Sequence, residues 1–275
     1  MSEGHPEVRR WEPLEPLDPP PAPAHRYALP RETLRHFPSE RIWEGEARAL
    51  ETGWAFPEFL ASSGSAWVQT LRGLYAQRIN FPAALSPEAG LLLHSLVRNV
   101  RPRVAAEVGT FLGVSTIWMA AALPEGSSLH SFDDFSPIEK GPWRDETLPR
   151  GRLDVVAATI ARAGLGGRVV LHHGNSSFAI RGMSAELRAR GGVDLAFLDG
   201  DHGRFGLLQD FWSVEPLLNT GGYVILHDVY PELCDHDGPR HLLDHLHARA
   251  QGLYEKCEVY LSPLNYGLAV LRRIG

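Results

Sequence analysis

The stretch Val104-Ala105-Ala106-Glu107-Val108-Gly109-Thr110-Phe111-Leu112-Gly113-Val114-Ser115-Thr116 decides the fold. Its first five residues read as a short buried strand, and the next helix opens near Ser115. Glycines between them let the backbone turn sharply and approach a ligand closely. A strand turning directly into a helix is the opening unit of a parallel α/β sheet.

The pattern repeats downstream. Strands are expected at Val104–Val108, Ser128–Phe132, Val169–His173, Leu195–Leu198, Tyr223–Leu226, Cys257–Leu261 and Leu268–Arg272. Helices are expected at about 115–122, 151–164, 178–190, 203–218 and 239–250. Short apolar strands separated by helices imply a mostly parallel sheet covered on both faces. The last two strands are joined by Ser262-Pro263-Leu264-Asn265-Tyr266-Gly267, too short for a helix, so they pair antiparallel. The fold class is therefore α/β, Rossmann-like, with seven strands, a reversed last strand and helices on both faces.

Upstream, Ser86-Pro87-Glu88 is a helix start. Serine caps, proline suits the first turn, and glutamate faces the positive dipole end. Residues 85–275 form the main domain. Residues 41–84 form a helical, aromatic-rich extension with Trp43, Trp54, Phe56, Phe59, Trp67 and Tyr75, which packs on the core or serves as a lid. Residues 1–40, with Asp18-Pro19-Pro20-Pro21-Ala22-Pro23, form a proline-rich arm, disordered or wrapped over the body.

The composition narrows the function. A net charge of −6 argues against nucleic acid, which needs clustered Lys and Arg. The chain opens without an apolar leader and has no apolar run of 18 residues, so a cytoplasmic protein off the membrane is expected. Cys234 and Cys257 form no Cys-x-x-Cys pair and read as free thiols. Ser176-Ser177 lacks the glycines of a hydrolase elbow.

The spacing Gly109-x-x-x-Gly113 differs from the Gly-x-Gly-x-x-Gly of dinucleotide sites, which disfavours a nicotinamide oxidoreductase. Glu107 suits a nucleoside that bears an amino acid, engaging its amino group directly or through water. Gly109, Thr110, Gly113 and Ser115 shape the same site; Ser115 and Thr116 either cap the helix or touch the carboxylate. Asp133, with Asp134 as second choice, ends the next strand, where a carboxylate can accept both ribose hydroxyls. After the third strand, Gly174-Asn175-Ser176 offers short polar side chains to an adenine amino group. Each of these alone could be a turn residue. Together they stand at successive carboxyl strand ends, where ligands bind in such sheets.

Two more strand ends carry chemistry: Asp199-Gly200-Asp201-His202 and His227-Asp228. Asp199 and Asp228 are suited to a hard divalent cation such as Mg2+, although each alone could be a cap or turn residue. His202 is a candidate general base, because imidazole removes a hydroxyl proton near neutral pH. Asp235, His236 and Asp237 read as a solvated loop, His241, His245 and His247 as surface histidines, and His172 and His173 as structural.

With Val104–Thr116, Phe132-Asp133-Asp134, Phe197–His202 and Gly221–Asp228 quoted, the chain resembles class I S-adenosylmethionine-dependent methyltransferases over residues 85–275. Within them it is most similar to the branch of macrocin-type sugar O-methyltransferases and cephalosporin hydroxylase-like proteins. The resemblance implies S-adenosylmethionine as cofactor and in-line transfer of its methyl to a hydroxyl of a small natural-product or sugar acceptor. It also implies His202 as base beside Asp199, and a divalent metal on Asp199, Asp228 and His227. His227 stands where the sugar enzymes carry an acidic residue. That leaves open a metal held with Asp201, a softer metal such as manganese or iron, or no metal. The hydroxylase-like likeness keeps a second function open, a methyltransferase fold without methyl transfer. The aromatic extension serves either core packing or a homo-oligomer interface.

Overall fold

The computed structural model describes residues 4–11, 53–136, 151–234, 236–261 and 265–275. Its centre is an eight-stranded sheet of β1 (Glu7–Arg10), β2 (Val104–Val108), β3 (Ser128–Asp133), β4 (Val169–His173), β5 (Val193–Leu198), β6 (Leu218–His227), β7 (Tyr254–Val259) and β8 (Leu268–Arg273). The order is β1-β4-β3-β2-β5-β6-β8-β7. β1 to β6 run parallel, and β8 lies antiparallel between β6 and β7. The reversed strand is thus the last in sequence, as the short 262–267 connection requires.

The expected seven strands become eight, because residues 7–10 of the proline-rich arm pair parallel with β4. Three contacts hold them. Arg9 forms an ion pair with Glu186 at 2.7 Å. The Trp11 amide donates to His173 O at 2.9 Å. Trp11 Nε1 donates to His172 Nδ1 at 3.0 Å. The proline run and Trp43 lie outside the described residues.

The strands alternate between two cores, as a sheet buried on both faces must. Ala105, Leu129, Leu171, Leu195, Phe197 and Ile225 face the helices Ala66–Tyr75, Pro87–Val100, Val114–Ala122 and Arg152–Arg162. Val108, Phe132, Ala196, Leu198, Val224 and Leu226 face Ser176–Gly182, Ser184–Ala189, Arg204–Val214 and Gly238–Arg249. Ser86 caps its helix as expected, its Oγ accepting from the Ala89 amide at 3.2 Å. The expected 178–190 helix is two short ones that meet at Met183.

The 53–84 region joins the first core. Leu71, Leu74 and Tyr75 are buried there. Tyr75 Oη donates to Leu85 O at 2.8 Å, and Trp118 Nε1 donates to Tyr75 Oη at 2.9 Å. On the other face His241 is buried rather than on the surface, at 8% exposure. It lies in the first turns of a helix that packs on Arg204–Val214.

Candidate active site

The glycine turn after β2 is built for close approach. Gly109 has φ +91°, and a Cβ there would stand 2.1 Å from Asp199 O. The turn is therefore pressed against the end of β5, and only glycine fits. Gly113 (φ +89°) and Phe111 (φ +48°) are also left-handed.

Glu107 lies beneath this turn and is fully buried. Its Oε2 accepts from Thr116 Oγ1 at 2.6 Å and Ser131 Oγ at 2.5 Å. With the Ser131 proton so placed, Thr110 Oγ1 donates to Ser131 at 2.7 Å. Glu107 Oε1 is buried and has no partner. Burial pushes this carboxyl up to about 7, against the pull of Ser115, Ser131 and Thr116. Such an oxygen is open to a hydrogen-bond donor.

The expected ribose ligand, Asp133, has several calls on it. It accepts from the amides of Thr110 (3.0 Å), Phe111 (2.9 Å) and Phe135 (2.6 Å). Arg152 clamps both of its oxygens, at 3.2 Å and 2.7 Å. Asp133 thus ties the glycine turn to β3 and to the helix Arg152–Arg162. Asp134, the second choice, is 61% exposed. Asn175 caps the helix Ser176–Gly182. Its Oδ1 accepts from the Phe178 amide at 3.2 Å and Ser177 Oγ at 2.8 Å. Ser176 instead donates to the buried Asp210 Oδ1 at 2.5 Å.

At the ends of β5 and β6 four side chains meet. One ligand atom from each of Asp199, His202, His227 and Asp228 lies within 4.8 Å of the others. His202 Nε2 is 3.2 Å from Asp199 Oδ1 and 3.1 Å from Asp228 Oδ2. His227 Nδ1 is 2.9 Å from both Asp199 Oδ1 and Asp228 Oδ1. Only its contact with Asp199 is aligned as a hydrogen bond, so Asp228 Oδ1 and His227 Nε2 are buried without hydrogen-bond partners. Asp228 is held at φ +57°, strain that a functional position can carry.

Burial opposes charge on all four groups, and their mutual attraction outweighs it. Asp199 and Asp228 are held below the usual carboxylate range by His227 and His202. His227 is raised well above its ordinary value by Asp199 and Asp228, and His202 is raised by Asp228 and Asp199.

The sequence reading placed Asp199, Asp228 and His227 at a metal and His202 outside it, whereas the structure groups all four. The Asp199-x-x-His202 spacing carried that information. Asp201 is turned away to accept from the Gly203 amide at 2.7 Å. His236, assigned to a solvated loop, stacks on His202 with ring centroids 5.5 Å apart. Asp235 lies outside the described residues, and Asp237 pairs with Arg204 at 2.8 Å.

Residues 106–229 match a family model described as a methyltransferase domain. The chain is 27% identical over 116 residues to a caffeoyl-CoA O-methyltransferase of Stellaria longipes, covering 42% of each protein. It is 27% identical over 120 residues to tricin synthase 2 of Oryza sativa subsp. japonica, covering 44% of this chain and 36% of that one. It therefore spans about two fifths of the length of these relatives.

Two solved structures are similar in fold. One is the O-methyltransferase TomG from Streptomyces achromogenes, involved in tomaymycin synthesis, in complex with S-adenosylmethionine. Its TM-score is 0.56 at 22% identity, covering 87% of this chain and all of that one. The other is an O-methyltransferase from Bacillus cereus with S-adenosylhomocysteine, at TM-score 0.58 and 18% identity, covering 86% of this chain and all of that one. The class I methyltransferase resemblance is borne out.

Proposed function

We propose, from the match of residues 106–229 to a methyltransferase-domain model, that the protein moves a methyl group from S-adenosylmethionine to a hydroxyl of a small acceptor. The observation that carries this reading is the contact between the Gly109 turn and the end of β5, with Asp199, His202, His227 and Asp228 gathered there. A donor seated on the turn presents its methyl to an acceptor lying over that cluster.

The chain's own groups divide the work. Glu107 Oε1 takes the donor's ammonium. Gly109 and Gly113 allow the close backbone approach. Asp133 holds the turn rigid from below. Its clamp by Arg152 leaves the ribose hydroxyls to be shared between it and Asp134. Ser176 meets the nucleobase at the end of β4. His202, whose Nε2–H faces Asp199 and Asp228, removes the acceptor's hydroxyl proton with its other ring nitrogen, and the two carboxylates stabilise the imidazolium that results. The oxygen then displaces the methyl in line, and the sulfonium leaves as a neutral thioether. Most of the acceleration comes from holding the oxygen and methyl in reacting order.

The cluster also fits a divalent metal. Two carboxylates and two imidazoles converge, with Asp228 Oδ1 and His227 Nε2 buried without a hydrogen bond. Imidazole donors favour manganese, iron or zinc over magnesium. A bound ion would orient two acceptor oxygens and make a hydroxyl more acidic.

The test is thermal unfolding with S-adenosylhomocysteine, with and without Mg2+ or Mn2+, followed by methyl transfer from labelled donor to a panel of small phenols, vicinal diols and sugars. Stabilisation by the nucleoside and turnover that falls at least ~100-fold in His202→Ala are expected. Absence of stabilisation overturns the reading. Donor binding with no transfer to any hydroxyl favours the fold without methyl transfer.

A further inference from the structure

Asp210 has no part in the chemistry above, yet it sits where an apolar residue would be expected. It lies on the helix Arg204–Val214 and is 4% exposed. Its Oδ1 accepts one hydrogen bond, from Ser176 Oγ at 2.5 Å. Burial pushes its carboxyl up to about 7. Burying such a group for a single bond costs stability unless the bond serves something else. Tethering the two helices does not need it. Arg181 Nε already donates to Ser213 Oγ at 3.2 Å, joining the same pair of helices. What the bond does fix is the direction of the Ser176 proton.

A hydroxyl has one proton to give and two lone pairs to offer. With its proton committed to Asp210, Ser176 Oγ faces any ligand as an acceptor only. A carboxyl protonated on Oδ2 still accepts through Oδ1, so the lock holds in either protonation state. Ser176 is half-buried and directly follows Asn175, whose own oxygen is spent on capping. In the donor-site reading, on which this inference rests, the nucleobase lies at this end of β4.

We propose that Asp210 makes Ser176 a fixed hydrogen-bond acceptor toward the donor's base, selecting adenine, with its exocyclic amino group, over hypoxanthine, which carries a carbonyl there. An amino group donates to the waiting oxygen. A carbonyl places two acceptors face to face and leaves both without a partner, the situation polar sites reject most strongly. Asp210 is thus a positioning residue acting through Ser176.

The experiment is calorimetric binding of S-adenosylhomocysteine and S-inosylhomocysteine to the full chain and to Asp210→Asn, Asp210→Ala, Asp210→Leu and Ser176→Ala, with folding checked by thermal unfolding. The wild type is expected to favour the adenine compound by about 30-fold. Asp210→Ala, Asp210→Leu and Ser176→Ala should narrow that ratio to within about 3-fold, mainly by weakening the adenine compound, whereas Asp210→Asn, whose amide oxygen still accepts from Ser176, should keep it. Asp210→Leu, which fills the space without an acceptor, serves where Asp210→Ala does not fold. A loosened structure would weaken both compounds alike and leave the ratio intact. A wild-type ratio near one, or an undiminished ratio in folded Asp210→Ala or Asp210→Leu, overturns the proposal while leaving the donor site standing. No binding of S-adenosylhomocysteine to the wild type overturns the donor reading, and this inference with it.

Discussion

Replacing Glu107 by glutamine separates two roles that one carboxyl now plays. In the free protein it is a liability. It is fully buried, Oε1 has no partner, and burial pushes it from 4.5 to about 7. Because the folded value lies above the unfolded one, the fold favours the protonated form. The carboxyl's cost is absent below pH 4.5, grows as pH rises, and levels off above 7. At 1.36 kcal/mol per pH unit that cost is about 3 kcal/mol. Glutamine keeps the acceptor for Thr116 and Ser131 and cannot ionise. Glu107→Gln should therefore raise the unfolding temperature at pH 8 and leave it nearly unchanged at pH 5. For the ligand the sign reverses. An amino acid's ammonium prefers the ionised carboxylate, so wild-type affinity for S-adenosylhomocysteine should rise from pH 6 to pH 8, with proton release. The variant should bind about 10- to 100-fold more weakly at pH 8, the loss of one charged hydrogen bond. The assays are thermal unfolding against pH, and calorimetry in two buffers of different ionisation enthalpy. Unchanged ligand affinity in the variant, or parallel stability–pH curves for the two proteins, would refute the argument.

Other outcomes follow from neighbouring parts. Gly109→Ala places a Cβ 2.1 Å from Asp199 O. It should cost several kcal/mol of stability, or abolish donor binding by displacing the turn, as read by thermal unfolding and calorimetry. Chelation followed by readdition of metal should show Mn2+ raising the unfolding temperature more than Mg2+ does, and Asp199→Asn should remove the response. His130 and His172 are buried, 3.1 Å apart, and burial lowers them to about 4 and about 3. They must stay neutral in the fold, so stability is full above pH 6.5 and is lost as pH falls below it. His172→Gln should flatten that acid limb in a denaturation series.

The central strands β2 to β6 were legible because they are short apolar runs buried on both faces, and such runs announce themselves locally. β1 was not. Glu7-Val8-Arg9-Arg10 has one apolar residue, and its partners Glu186 and His173 lie far along the chain. The cluster at Asp199 and Asp228 was visible because strand ends of a parallel sheet converge by topology. Side-chain commitments were harder to read. Asn175 as a cap could have been read from the helix it precedes. Arg152 on Asp133 and Asp210 on Ser176 join residues 19 and 34 apart, and no local pattern encodes either. His241 looked polar and therefore exposed, and helix packing buried it.

The short strand β1 also bears on how the protein behaves in solution. Without residues 7–11, β4 would end the sheet, and Val169-Val170-Leu171 would present open amide and carbonyl groups on an apolar strand. That is a template for pairing between molecules. The opposite edge, β7, is guarded differently, by the exposed charges of Glu255 and Lys256. Removing residues 1–11 alone should therefore yield a product that folds around the same cores but self-associates through β4. Light scattering of the trimmed and full chains at matched concentration would reveal it.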